Sequence, residues 1–315
     1  MEGSTMDGGS KRKLTFGIML GPFPPWEKVV GWAKLVESLG LDKLWLPDHY
    51  VNPDDKDMDW FDCWCTLSAL ATQTDKIKLG TLVSSMTLRN PAVLAHMSMA
   101  ADHISAGRFE LGVGAAGTRK CHEMTGVLRW EPKERSERYR EFVEILYSML
   151  NNEVTTYPGN YYNIQGAVMH PGFISSPHPT LSVAAHGPKA LRLAATYGDA
   201  WNTLGPLKEL TPRQSSDEIH QSYQMLREFA AAAGRDPDNF DRTILFGWTC
   251  ERPCASVDAF YDVISRYAEA GINDFCFIYA PGVDLWKDQS INNEDLLYRI
   301  ALEAIPAIRS SSLNK

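Results

Sequence analysis

The sequence predicts a single (β/α)₈ TIM barrel with an insertion after its fourth βα unit. Two observations carry this. Eight short apolar runs alternate with helical stretches along the whole 315-residue chain. A helix that closes on glycine and leads within a few residues into a strand also recurs, at Gly40, Gly198 and Gly271. A repeated unit spread over the full length speaks for one architecture, not for two unlike halves.

The elements follow in order. Residues 1–13 are small, polar or basic and read as a disordered or expression-derived leader, with no apolar middle of a signal peptide; residues 14–310 read as one domain. Leu14–Met19 is the first predicted strand. Pro24-Pro25 opens a helix in which Val29, Val30, Ala33, Val36 and Leu39 recur at helical spacing. Gly40 suits the left-handed residue just past its end. Strand Leu44–Pro47 follows, then a helix over Asp62–Thr72 and strand Ile77–Val83. Asn90 as cap and Pro91 at the first helical position start a helix that runs to about Ser105. Phe109–Val113 is the fourth strand and Glu134–Leu150 a strongly periodic helix. Residues 151–180 break the rhythm with Tyr, Gly and Pro and predict a small inserted hairpin. Strands Leu181–Ala185, Ala200–Leu204, Thr243–Thr249 and Phe275–Tyr279 complete the eight. Helices over Gln214–Ala233, Val257–Glu269 and Asn293–Ala304 lie between and after them.

A net charge of −8 argues against a general nucleic-acid or anionic-membrane binder, and no apolar run reaches the roughly 18–20 residues of a membrane span. The expected setting is the cytoplasm. Six cysteines are too few for a disulfide framework in this length. Neither Cys63/Cys65 nor Cys250/Cys254 has a standard zinc spacing, so buried free thiols are expected and no metal.

The chemistry concentrates at the predicted carboxyl ends of strands. LWLPDHY at 44–50 ends in Asp48-His49, which places a histidine where it can move a proton near neutral pH. Asp102-His103 is the internal control. It falls inside a helix, where surface polarity or an ion pair with Arg108 is expected; His96 on that helix is also read as structural. GTLVSS at 80–85 offers Ser84 and Ser85 as ligand contacts. GVGAAG at 112–117 matches the dinucleotide fingerprint literally. No helix opens at once and no acid ends a following strand, so small residues that let a planar ring or phosphate tail lie against backbone are the simpler reading. His186-Gly187-Pro188 joins a strand to a helix start, either as a phosphate site or as a plain tight turn. Phe23, Trp26, Trp60 and Trp130 are candidates for the wall of an apolar or planar substrate site.

Two stretches, KIKLGTLVSSMTLRNPAVLAHMSMAADHISAGRFELGVGAAG and HGPKALRLAATYGDAWN, resemble the luciferase-like flavin and deazaflavin oxidoreductases. The strand-end LPDHY is most similar to the branch that uses coenzyme F420, a 5-deazaflavin with a phosphate-bearing tail. The resemblance covers roughly 14–305. It implies a TIM-type barrel with an insertion and a homodimer. It further implies that His49 is the acid or base beside the reactive carbon and Asp48 a ring contact. Leu82-Val83 would form a non-prolyl cis peptide behind the ring, with Ser85 near the ring's polar edge. Gly114 and Ala115 would pass the cofactor chain, and Ala185, His186 and Gly187 would meet the phosphate.

Two features depart from the sugar-phosphate dehydrogenases of that branch. Gly117 or a neighbour stands where their glycine-rich strand is followed by a catalytic Glu, the next acid being Glu123. Pro53 and Asp54 stand where they have an aromatic soon after the histidine. The expectation is an F420-dependent oxidoreductase that moves hydride to or from a small organic substrate. The alternatives are an FMN-dependent monooxygenase of the same fold and a flavin-binding protein without catalysis.

Overall fold

A computed structural model describes residues 13–55, 57–115, 118–206, 209–283 and 290–311. Most of the predicted leader therefore lies outside the described residues, as do Ala116 and Gly117 of the glycine-rich stretch. The strands are β1 (Thr15–Leu20), β2 (Lys43–Leu46), β3 (Lys78–Thr81), β4 (Ser84–Ser85), β5 (Phe109–Gly114), β6 (Val154–Pro158), β7 (Asn163–Val168), β8 (Thr180–Ala184), β9 (Ala200–Thr203), β10 (Asp241–Phe246) and β11 (Asp274–Tyr279). The parallel order is β3-β2-β1-β11-β10-β9-β8-β5, and a further pairing of β3 with β5 closes the ring into eight strands. The third predicted strand is interrupted: β4 resumes it after a bulge, with Ser84 opposite Val113 and Ser85 opposite Gly114. β6 and β7 form the antiparallel hairpin of the insertion.

The predicted helices form between these strands. Val257–Glu269 keeps its predicted bounds. Asn90 caps Pro91–Ile104 by accepting the amides of Ala92 and Val93. The last helix begins at Glu294 and runs on to Ser310 through a π turn at Ile300–Ala304. The seven-residue helix Arg119–Thr125 leaves no sign in the sequence, because two turns of mostly polar residues carry no apolar period. The glycine punctuation has two causes. Gly40 and Gly271 adopt positive φ, 74° and 109°. Gly198 does not; a Cβ there would lie 2.9 Å from the Ala194 carbonyl oxygen and 3.1 Å from Val183.

Along β1 the faces alternate. Phe16, Ile18 and Leu20 pack outward under the helices. Met19 turns inward with Trp45, Leu245, Cys276 and Ile278. The amino-terminal end of the barrel is floored by charge. Lys43 Nζ, buried, lies 3.0 Å from Glu110 and 3.1 Å from Asp274. Lys78 reaches Glu110 from the solvent side at 2.6 Å. Thr15 and Thr243 each donate to Asp274 at 2.7 Å. Burial disfavours the ammonium, but Asp274 and Glu110 outweigh it and push Lys43 well above the ordinary lysine range. Burial also works against ionised Glu110, but Lys43 and Lys78 hold it below the usual carboxylate value. At Asp274 burial prevails and its carboxyl is raised.

Asp102 corrects an expectation. It does not pair with Arg108, which donates to the Ser105, Ile77, Ala71 and Thr74 carbonyls and to the Thr74 hydroxyl. Asp102 is fully buried and accepts the amides of Ile174 and Ser175, at 2.7 and 2.9 Å, and the Ser175 hydroxyl at 2.5 Å. His103 Nε2 donates to Gly172 O at 3.0 Å. The helical Asp-His pair thus anchors the end of the insertion. Asp102→Ala removes one acceptor shared by three donors, and about 1–3 kcal/mol of local stability is expected to go with it. Hydrogen exchange at Ile174 and Ser175 should speed up while the barrel strands keep their protection.

Candidate active site

At the carboxyl ends of the strands the barrel opens into a cavity of about 530 Å³. Of the site residues expected from the sequence, His49, Leu82, Val83, Ser85, Gly114, Ala115, His186 and Gly187 line it. Asp48 and Ala185 do not. Ala185 lines an adjoining cavity of about 390 Å³, which shares His186 and Thr203 with the first.

His49 stands just past β2, and its surroundings are built from distant parts of the chain. The side chain of Asp48 beside it is fully buried and is not among the residues that line the cavity. Arg89 takes it through two hydrogen bonds, Nε to Oδ2 at 3.1 Å and Nη2 to Oδ1 at 2.7 Å. The same Nη2 reaches Asp62 at 3.0 Å. Asp62 also caps the helix Cys63–Ala71 by accepting the Cys65 amide. Burial works against the charge of Arg89, but hydrogen bonds and charge from Asp48 and Asp62 outweigh it and raise its pKa. The ion pair thus ties the end of β2 to two other segments. Trp60 donates its indole N–H to the His49 carbonyl at 2.9 Å and lies 6.3 Å from the imidazole, ring centre to ring centre. Phe23 meets Trp60 edge-on at 5.4 Å. Trp60 brings an aromatic to His49 from farther along the chain than the expected position. The Sγ of Cys121 lies 3.8 Å from His49 Nδ1.

Another part of the wall comes from the β3–β4 bulge. Leu82-Val83 is a cis peptide, as the family resemblance implied. The Leu82 amide donates to Leu46 O at 2.9 Å and Thr81 Oγ1 donates to Gly112 O at 2.8 Å. The glycines of β5 fit this bulge. A Cβ on Gly112 would lie 2.1 Å from the Thr81 carbonyl oxygen, and one on Gly114 would lie 2.5 Å from a Val83 methyl. Their spacing serves the contact between neighbouring strands, and β5 belongs to a closed barrel, so the dinucleotide reading of GVGAAG falls. Tyr139 fills the gap between β5 and β8, its hydroxyl 3.0 Å from Val113 O and 3.1 Å from Ala184 O. Burial raises its pKa far above the ordinary phenol range, so it stays neutral. Ser85 Oγ and Thr87 Oγ1 are 2.6 Å apart. Ser84 accepts from Trp64 at 3.1 Å, so of the two serines only Ser85 lines the cavity.

At the far end Gly187 is the N-cap of Pro188–Tyr197, with no side chain capping the helix start. His186 Nδ1 is 3.3 Å from Thr203 Oγ1, and burial lowers its pKa below the usual histidine value. Polar contacts the sequence did not disclose are Asp54, Thr118, Asn202 and Thr203; Trp248 is the aromatic on the wall. Phe23, Trp26, Trp60 and Trp130 do not line it. Trp26 packs on Phe61 and Trp130 on His122 and Arg138, leaving only the Phe23–Trp60 pair near His49. No lysine or arginine lines the cavity among the described residues, and Asp54 is its carboxylate. All six cysteines are free; Cys65 and Cys250 are exposed, against the expectation of burial. Among the described residues no three metal-binding side chains converge.

A closed parallel barrel with an apolar slot and a histidine at its carboxyl rim belongs to the class whose active sites lie at that end. Within it, the sequence profile of luciferase-like monooxygenases matches residues 5–270, and the chain belongs to that family. A 5,10-methylenetetrahydromethanopterin reductase from Methanolobus tindarius is 29% identical over 83% of this chain and 73% of its own length. An F420-dependent glucose-6-phosphate dehydrogenase from Kineococcus radiotolerans is 31% identical over 75% of this chain and 67% of its own. The structure of the coenzyme F420-dependent tetrahydromethanopterin reductase from Methanopyrus kandleri superposes with a TM-score of 0.74 at 19% identity, covering 94% of this chain and 99% of that one.

Proposed function

We propose that the protein is a coenzyme F420-dependent oxidoreductase that transfers hydride between the deazaflavin and an uncharged, largely apolar organic substrate. The observation that carries this reading is the placement of His49 on the rim of the same slot that the Leu82–Val83 bulge walls. The relatives named for F420 chemistry support the cofactor. The residues fit it. The slot is apolar and of a size for a tricyclic ring. The adjoining cavity past His186 and Thr203 offers room for a tail, and the uncapped helix start at Gly187 presents free amides to a phosphate.

When bound, the deazaflavin would supply or accept the hydride. The chain's part is to hold the ring against Leu82 and Val83, to fix its polar edge near Ser85, and to move a proton at His49. Among the described residues the cavity lining is without a cation, which argues against a phosphorylated substrate. Glu123, the next acid after the glycine-rich strand, is exposed and paired with Arg119. Titration of the purified protein with F420, followed by deazaflavin fluorescence, should show saturable binding, and glucose 6-phosphate should not be oxidised. Tight FMN binding with oxygen consumption and no affinity for F420 would overturn the reading in favour of a monooxygenase.

A further inference from the structure

His49 has a partner behind it as well as a cavity in front. Cys121, 3.8 Å from Nδ1, comes from the short helix Arg119–Thr125, 72 positions along the chain. That helix is pinned at both ends. The Thr118 side chain accepts the Cys121 amide at 3.4 Å, and His122 Nδ1 donates to Val127 O at 2.9 Å. Cys121 is fully buried and does not line the cavity, whereas His49 does. The other ring nitrogen, Nε2, has no partner among the described residues.

We propose that Cys121 is a positioning residue that keeps the proton of His49 on Nε2, the nitrogen left to the cavity, so that His49 stands loaded as a proton donor. The inference rests on the proton role proposed for His49. As a thiol, Cys121 donates S–H to Nδ1 and leaves the neutral ring protonated on Nε2. As a thiolate it accepts N–H from Nδ1, and the imidazolium it pairs with carries its other proton on Nε2. In both of these states Nε2 holds a proton; it is bare only after the pair has given one up and rests as thiolate and neutral imidazole.

Burial raises the Cys121 thiol, but hydrogen bonds from His49, Thr118 and the Tyr50 backbone outweigh it and bring it down to about 7. Other ionisable groups stand around the pair. Tyr50 senses Arg89, Asp48 and Asp62 as well as Cys121. Asp54 lies on the cavity wall. Arg119, Lys120, His122 and Glu123 share the cysteine's helix, with Arg119 and Glu123 exposed and paired to each other.

The step balances for the reduction of a substrate C=X bond by a reduced deazaflavin. The reduced deazaflavin would supply the hydride, its C–H bond breaking and its ring being oxidised as the substrate C–H bond forms; the C=X π pair would move to X, which takes the proton of Nε2. The ring keeps a proton on Nδ1, passed from sulfur where Cys121 began as a thiol. The pair ends as neutral imidazole and thiolate, and one solvent proton reloads it.

The test makes two measurements on the cofactor-free protein: a titration of the thiolate by its ultraviolet absorbance, and the ¹⁵N shifts of the His49 ring, assigned by their loss in His49→Gln. In the wild type a thiolate step near pH 7 is expected. It should vanish in Cys121→Ser and move above the free-thiol value of about 8.5 in His49→Gln. Reciprocally, the ¹⁵N shifts of the neutral His49 ring, which report the tautomer, should differ from the wild type in both Cys121→Ala and Cys121→Ser, because the partner that fixes the proton on Nε2 is gone. Should Cys121→Ala not fold, Cys121→Ser and His49→Gln carry the comparison. A thiolate step that stays near 7 in His49→Gln, or His49 ¹⁵N shifts unmoved by both cysteine variants, overturns the assignment. Unchanged turnover in His49→Ala would remove the proton role and leave the measured pairing standing, so the two failures are distinguishable.

Discussion

His49→Ala is expected to lower turnover by roughly 10²–10⁴-fold while leaving F420 affinity nearly unchanged. The slot is formed mainly by Leu82, Val83, Gly114, Ala115 and the β8 and β9 ends, none of which depends on the imidazole. His49 contributes one edge of the cavity and its ring nitrogen. Steady-state kinetics with a binding isotherm for F420 checks both halves. A fall in affinity equal to the fall in rate would mean that the histidine holds the ring and moves no proton. The effect should be specific to the side chain, because the Asp48–Arg89 pair and the Trp60 hydrogen bond hold the backbone of this segment independently of the imidazole.

The largest effect on stability is expected at the other end of β2. Lys43→Ala leaves Glu110 with only Lys78 and strips Asp274 of its cationic partner, both carboxyls remaining buried. Breaking a buried pair from one side typically costs about 3–5 kcal/mol, and urea unfolding should show a loss of that order. Adding Asp274→Asn to Lys43→Met should recover much of it, since an amide needs no counter-ion. The signs with pH follow from the shifts. The contribution of Glu110, whose pKa is lowered, is present above the ordinary carboxylate range and is lost as pH falls through its lower folded value. That of Lys43, whose pKa is raised, persists through neutrality and is lost only above the ordinary lysine range. Asp274 runs the other way: its raised carboxyl favours the folded state at acid pH.

Local rules written in contiguous residues were legible. Asn90-Pro91 gave a helix start, the apolar runs gave eight strands, and Tyr, Gly and Pro between 151 and 180 gave the hairpin. His49 could be placed because a strand's end is local too. What stayed hidden was what pairs with what across the barrel. Arg89 meets Asp48 from 41 positions away, and Cys121 meets His49 from 72. Lys43 sits in an otherwise apolar strand, and nothing near it in sequence shows that two carboxylates await it. The four aromatics chosen for the wall failed for the same reason: residue type says that a ring will pack, and only the fold says against what. Trp248 reached the wall from a segment that read as the tail of a strand.

The contact of Gly112 and Gly114 with the β3–β4 bulge also limits how this sequence can drift. At Gly112 the obstacle is a backbone carbonyl, which no change of side chain elsewhere can withdraw. At Gly114 it is one methyl of Val83, so that position can accept a larger residue only if Val83 gives up bulk in exchange. One glycine is therefore fixed outright and the other is half of a paired trade. Because Val83 also lines the cavity, a trade of that kind changes the shape of the space the barrel offers a ligand.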